Sequence, residues 1–280
     1  MGWLASDSPS AVVKAPKVAV GTPTAVPTPT EPPPPTPGAE KPPEIPQVTQ
    51  TGQDGMTLIR IPAGEFLMGN DNEAEKQTYS DEFPAHRVYL DTYWIDKTEV
   101  TNAMYVKCLK AGKCAALKTN FPEAYDKPGK DNYPVGMVNW NQAKAYCQWA
   151  GRDLPTEAQW EKAARGADGR IYPWGNDWKE NLANRNGDVL PVGTYPAGAS
   201  PYGVLDMAGN VSEWVKDWYA YDYYASSPEK NPSGPTKGEI NIIRGGSSGN
   251  SNKYLRTVYR ESMRGEDTNS DYGFRCVLNP

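Results

Sequence analysis

Four cysteines and one histidine set the limits on the chemistry this chain can run. Cys108 and Cys114 stand six apart in CLKAGKC, a spacing that suits a small disulfide-closed loop around Gly112. Cys147 and Cys276 are far apart in sequence. The even count fits an oxidising compartment. A zinc site is not supported, because there is no C-x2-C pair and His86, alone in PAHRV, reads as a structural or surface residue. Serines are plentiful, but a single histidine is all that could serve them as a base, so no nucleophile–base pair for hydrolysis stands out.

The second candidate is the stretch RGGSSGNSNKYLRTVYR, Arg244 to Arg260. It follows the apolar residues Ile240, Ile242 and Ile243, opens on two glycines and stays small and polar up to Tyr254. It contains no cysteine, histidine or acidic residue. Ser, Gly, Asn and Tyr are the residues that adaptable binding loops use. ESMRGEDTNSDY, Glu261 to Tyr272, has a similar character. Arg244, Arg256, Arg260 and Arg275 are expected to tie strands and loops together through charge-assisted hydrogen bonds. Trp140, Trp174 and Trp214 read as core residues, with a groove beside the loop as their other place.

The elements that position these residues can be read from pattern. MTLIRIPAGEFLMGN reads as two short strands around a turn at Pro62-Ala63-Gly64. In HRVYLDTYWIDKTEV, Val88, Leu90 and Tyr93 have strand spacing. TNAMYVKCLKAG predicts a helix capped by Thr101 and ended by Gly112. NWNQAKAYCQWAG predicts a second helix, ended by Gly151. LPTEAQWEKAARG predicts a third, with a capping box between Thr156 and Gln159. After residue 167 Gly, Asn, Asp, Pro and Trp dominate and helices vanish. The chain closes with strands in INIIRGG, YLRTVYR and GFRCVL. Long ordered loops of this kind are functional or pinned. A few helices with short antiparallel strands read as α+β.

The chain has 280 residues, a net charge of −5 and a pI near 5.1. That charge argues against a nucleic-acid partner, which needs clustered Lys and Arg. No run of about 18 apolar residues is present, so membrane insertion within this chain is not expected. Residues 1–54 hold about half of the 27 prolines and read as a Pro/Thr-rich, disordered, PPII-like linker. The folded domain is expected over residues 55–280. The N-terminus shows no signal peptide, and a spacer of this kind points to a missing N-terminal segment that tethers the domain.

Seven stretches in order carry a family resemblance: IPAGEFLMG, HRVYLDTYWIDKTEVTN, YPVGMVNWNQAKAYCQWAGRDLPTEAQWEKAARG, YPWGN, YGVLDMAGNVSEWVKDWY, IIRGGS and YGFRCV. Together they resemble the formylglycine-generating enzyme family, also called the sulfatase-modifying factor domain, over about residues 55–278. The resemblance implies a C-type-lectin-like fold with little regular secondary structure and a loop-rich second half. It implies calcium at Asn184 and the backbone of Arg185, with Asp188 as a further partner. A second calcium is implied at Gly209, Asn210, Val211 and Glu213; hard oxygen donors of these types suit the ion. It also pairs Cys147 with Cys276.

Enzymes of that family oxidise a cysteine in Cys-x-Pro-x-Arg to formylglycine with oxygen and a copper(I) ion held by two cysteines, a soft-ligand site. The matching place here is SGNSNKYL, Ser248 to Leu255, which has neither cysteine. Copper is therefore not expected. A related branch uses iron on three histidines, which this chain lacks. The expectation is a calcium-stabilised binding module that takes a protein, peptide or glycan through Ser248, Asn250, Ser251, Asn252, Lys253 and Tyr254 and the neighbouring loop 261–272. Alternatives are copper-dependent formylglycine formation and a structural or sensor domain of a larger bacterial surface protein. Domains resembling this one are ligand-binding ends of surface proteins and parts fused to bacterial kinases. The expected location is extracellular or periplasmic.

Overall fold

A computed structural model describes residues 47–280. The expected spacer over residues 1–46 lies outside the described residues. The element order is β1 (Thr49–Thr51), β2 (Thr57–Ile61), β3 (Gly64–Met68), β4 (His86–Leu90), β5 (Tyr93–Asp96), α1 (Asn102–Lys110), α2 (Trp140–Trp149), α3 (Glu157–Arg165), β6 (Ser212–Trp218), β7 (Asn241–Arg244), β8 (Glu261–Met263), β9 (Tyr272–Phe274) and β10 (Val277–Leu278). This is the expected α+β, C-type-lectin-like architecture, with strands and single turns but no α-helix in the described chain after Arg165. No helix of the described residues is long and apolar enough to cross a membrane.

Three sheets form the frame. One has the order β1-β2-β5-β10, one is the pair β3-β4, and one has the order β8-β7-β6-β9. β1 lies inside the stretch read as linker, so the folded part begins before Gly55. Asp54 is also buried, where it meets Arg152 and accepts the hydroxyl proton of Tyr146 at 2.7 Å. The last strand enters the first sheet: Val277 and Leu278 of β10 pair with Ile95 and Trp94.

The strands follow the period-two rule where one face is buried. In β4, Val88 and Leu90 point inward while Arg87 and Tyr89 face out. The two strands expected around Pro62-Ala63-Gly64 form, and they enter different sheets: β2 pairs with β1 and β5 while β3 pairs with β4. One expectation needs correction. YLRTVYR is not a strand. Its carbonyls at Thr257, Val258 and Tyr259 accept from the buried Arg244 guanidinium at 2.7–3.1 Å, which takes them out of any ladder.

The helix ends match their capping residues. The Thr101 hydroxyl accepts from Met104 N–H at 3.4 Å. Asn139 with Gln142, and Thr156 with Gln159, form capping boxes. Gly112 and Gly151, past the ends of α1 and α2, sit at φ 66° and 73°, where a side chain would be strained.

All nine residues of α3 are buried, although Glu157, Glu161, Lys162 and Arg165 are among them. Each charge has a partner. Arg260 and Arg244 reach Glu157 at 2.8 and 3.3 Å, and Arg244 reaches Glu161 at 2.7 Å. Arg165 donates to the carbonyls of Leu67 and Gly69. Lys162 donates to the carbonyls of Pro62 and Gly64, and burial pulls its pKa down to about 8. Ion pairs fix α3 at the centre, with Trp160 in an apolar cluster that includes Ile59, Phe66, Val88, Ile95 and Val215. A second cluster gathers Tyr105, Tyr146, Trp214 and Phe274 around Cys147 and Cys276.

Candidate binding face and its supports

Both expected disulfides are present. Cys108–Cys114 closes the turn after α1, and Cys147–Cys276 staples α2 to the segment between β9 and β10 across 129 residues. All four cysteines are thereby committed, and no free thiol is left for a soft metal. The residues present do not fit the family's copper(I) ion.

The two segments with calcium-type ligands come together. Asn184 and Gly209 form a parallel bridge, and Asn210 N–H donates to Asn184 O at 3.0 Å. The Asn184 amide donates to Asp188 O at 2.8 Å and to Asn210 Oδ1 at 3.0 Å. Asn210 Oδ1 also takes Leu190 N–H, and its amide nitrogen donates to Glu99 Oε1 at 2.9 Å. Asn184 Oδ1, the Arg185 carbonyl and the exposed Asp188 carboxylate supply oxygen of the kind calcium takes. Glu213 is placed differently. Arg275 grips both its oxygens at 2.7 Å and Trp160 Nε1 donates to it at 2.9 Å, so its charge is already neutralised. Gly209 and Val211 are buried beside it.

Glu99 and Asp206 were not singled out in the sequence. Burial, then the neighbouring Asp206 charge, pushes the Glu99 carboxyl well above its usual range, and burial raises Asp206 as well. Glu99 Oε2 has no hydrogen-bond partner. Asp206 accepts from Gly193 N–H at 2.6 Å. Nothing in their spacing, more than a hundred residues apart, signals that they meet.

The polar loop after β7 divides into a buried base and an outer part. Ser248 is not a surface residue: it is 1% exposed, and its N–H and C=O bond Asn210 O and Gly187 N–H. Asn250 Oδ1 accepts from Ser247 N–H at 2.7 Å, which shapes the turn. Ser251, Asn252 and Tyr254 are half-buried and Lys253 is exposed. The presented set is therefore Ser251 to Tyr254, with Asn250 behind it.

Loop 261–272 approaches the same corner from the other side. Ser212 N–H donates to Asp271 O at 2.8 Å, two residues from the Asn210 that holds Ser248. No hydrogen bond joins the two loops directly among the described residues. The arginines act as ties. Arg256 grips Glu82 with two contacts at 2.8 Å and reaches Glu75 at 3.1 Å. Of the three tryptophans, Trp214 is core and donates to Val138 O, while Trp140 stacks on Trp218. Only Trp174 stands by the loop, against the small cluster of Ala183, Ala208 and Leu255 on which Trp178 and Tyr254 also pack.

Comparison with known proteins places this arrangement. The family described as sulfatase-modifying factor enzyme 1-like domain matches residues 43–280. A serine/threonine-protein kinase, pkn1 of Chlamydia caviae, is 35% identical over 238 residues, which cover 79% of this chain and 37% of the kinase. The chain thus spans little more than a third of that relative. The formylglycine-generating enzyme of Streptomyces coelicolor is 35% identical over 281 residues, covering 78% of this chain and 88% of the enzyme. Among solved structures, PvdO from Pseudomonas aeruginosa superimposes with a TM-score of 0.71 at 28% identity, covering 82% of this chain and 97% of PvdO.

Proposed function

This chain belongs to the sulfatase-modifying factor family, and on that premise we propose that it is a ligand-binding domain on the formylglycine-generating-enzyme fold rather than an oxidase. The observation that carries the proposal is the commitment of all four cysteines to disulfides. The family's copper chemistry draws on two thiolates, and the loop at that place offers Ser251, Asn252, Lys253 and Tyr254 instead. Their backbone rests on a buried base, Gly245 to Ser248, so binding would order few groups. The ligand is a protein, peptide or glycan from outside the cell or the periplasm, in keeping with two disulfides.

Calcium belongs to this proposal as a clamp on the loops. Asn184 Oδ1, the Arg185 carbonyl and Asp188 would hold it. The chemistry it supplies is the neutralisation of converging oxygen dipoles. The second set is reduced to the backbone carbonyls of Gly209 and Val211, because Glu213 is closed by Arg275 and the Asn210 side-chain oxygen already accepts from the Asn184 amide and Leu190 N–H.

The identity to a formylglycine-generating enzyme favours a second reading, oxidation of a substrate cysteine. One assay separates the two. The protein is incubated with copper(I), calcium, oxygen, a reductant and a Cys-x-Pro-x-Arg peptide, beside an active member of the family. No aldehyde product is expected by mass spectrometry; turnover would overturn the binding proposal.

A further inference from the structure

Asn186–Gly187 is the one Asn-Gly step in the sequence. It lies in the turn between Asn184 and Asp188, and Asn186, Gly187 and Asp188 are all exposed. A step of this kind carries its own reaction. The glycine backbone nitrogen, once it has lost its proton, attacks the asparagine Cγ, because no side chain on the glycine blocks the approach. At Gly187 the surroundings are open as well: an added Cβ would meet nothing within 4 Å.

Asn186 is loosely held. Its amide nitrogen reaches the Tyr195 hydroxyl at 3.4 Å, and its backbone N–H reaches Asn184 Oδ1 at 3.4 Å, both long for a hydrogen bond. Gly187 is held more closely. Its N–H donates to Ser248 O at 2.9 Å, and the Ser248 hydroxyl donates back to Gly187 O at 3.2 Å. Ser248 is buried, and its own N–H donates to Asn210 O at 3.0 Å. The reactive nitrogen is thus tied to the buried base of the polar loop.

The two Asp-Gly steps of the described chain are closed to the same attack. The Asp54 carboxylate, before Gly55, is taken by Arg152 and Tyr146. The Asp168 carboxylate, before Gly169, is hydrogen-bonded by Arg170, which holds its pKa below the usual range. An ionised carboxylate is a poor target for a backbone nitrogen, whereas the Asn186 amide is neutral at every pH.

We propose that Asn186 is a deamidation site gated by the Gly187–Ser248 hydrogen bond, converting when the loop base lifts from the 184–188 turn. Gly187 N–H gives its proton to solvent and a bond forms from that nitrogen to Asn186 Cγ. The Cγ–Nδ2 bond breaks, and the amide leaves as ammonia with a proton from solvent. Water then opens the five-membered imide at either carbonyl, giving aspartate or isoaspartate. The imide nitrogen carries no hydrogen, so the ring and the bond to Ser248 O exclude one another. In isoaspartate the main chain runs through the former side-chain carbons and is one atom longer, which puts Gly187 out of register with Ser248. Nothing in this chemistry depends on what the loop binds or on calcium, so its failure leaves the binding reading standing.

The test is peptide mapping by mass spectrometry of the full chain, aged in warm, mildly alkaline buffer beside a synthetic peptide of residues 181–192. Asn186 should convert at least tenfold more slowly in the folded chain than in the peptide. Ser248→Ala removes one of the two bonds to Gly187. It should speed conversion at Asn186 at least threefold, quicken Gly187 amide exchange with it, and leave the exposed Asn269–Ser270 step unchanged. Melting curves check the fold. If Ser248→Ala does not fold, wild type in low urea replaces it, and conversion should rise in step with Gly187 exchange. Conversion as fast in the folded chain as in the peptide overturns the gate. So does a rate at Asn186 that Ser248→Ala, or urea that opens Gly187 to exchange, leaves unchanged, and so does an equal rise at Asn269. No conversion at Asn186 in wild type or variant, while the peptide reacts fully, overturns the site itself.

Discussion

Arg275 and Glu213 form a two-contact ion pair with both distances at 2.7 Å and neither side chain exposed. The remaining donors of Arg275 reach Asp96 O and Leu205 O at 3.0 Å, so the guanidinium ties β6, the end of β5 and the loop before β6 into one knot. Removing one partner strands the other charge in the core. Glu213→Gln should lose about 3–5 kcal/mol in urea unfolding. A Glu213→Leu, Arg275→Met double variant should recover much of that loss. Equal stabilities of Glu213→Gln and wild type would refute this account of the pair.

Asp217 gives a pH dependence with a defined sign. It is buried and accepts Glu157 N–H at 3.0 Å; burial and then the Glu157 charge push its carboxyl up to about 8. A folded pKa above the unfolded value of about 4 means the folded state holds the proton more tightly. Its contribution is therefore fully present below about pH 4 and is lost as pH rises through about 8. Asp217→Asn keeps an acceptor for Glu157 N–H and removes the titration. Relative to wild type, the variant should gain on the order of 3–4 kcal/mol between pH 5 and 8.5. A constant difference across that range would show that Asp217 does not titrate there.

The two disulfides should differ in weight. In the chain-entropy view a cross-link over 129 residues removes far more unfolded-state freedom than one over six. Replacing Cys147 and Cys276 by serine should cost about 4–5 kcal/mol, and replacing Cys108 and Cys114 about 2 kcal/mol. Chemical unfolding of the two double variants tests the order. Thiol titration of the native protein should find no reactive sulfhydryl.

Calcium should act through Asn184. At a free concentration of about a hundred times its Kd, one bound ion adds about 2.7 kcal/mol. Chelation should lower the melting temperature of wild type but not of Asn184→Ala. A melting curve indifferent to chelator would remove calcium from the proposal.

What was legible in the sequence was local. Thr101 as an N-cap, the Thr156–Gln159 capping box and the terminal glycines were visible because their partners lie within one turn. Membership of sheets was not, because Pro62 to Gly64 looks like a hairpin turn whichever sheet its strands enter. The burial of α3 was hidden too. Four charges in nine residues read as a solvent face until Arg244 and Arg260 arrive from beyond residue 240. At the site, the family resemblance pointed to the two segments proposed for calcium and to the loop Ser248–Leu255. It did not show that Glu213 is spent on an arginine 62 residues later, nor that Trp174 packs on the same small cluster as Tyr254.

The path of the last residues has a consequence for biosynthesis. β10 closes the first sheet against β5, β9 lies on β6, and Cys276 holds α2. Every one of these contacts joins the final nine residues to chain made long before. The domain cannot be completed in order as it leaves the ribosome, since its two clusters stay open until residues 272–278 have emerged. A nascent chain arrested short of Tyr272 would hold exposed apolar surface.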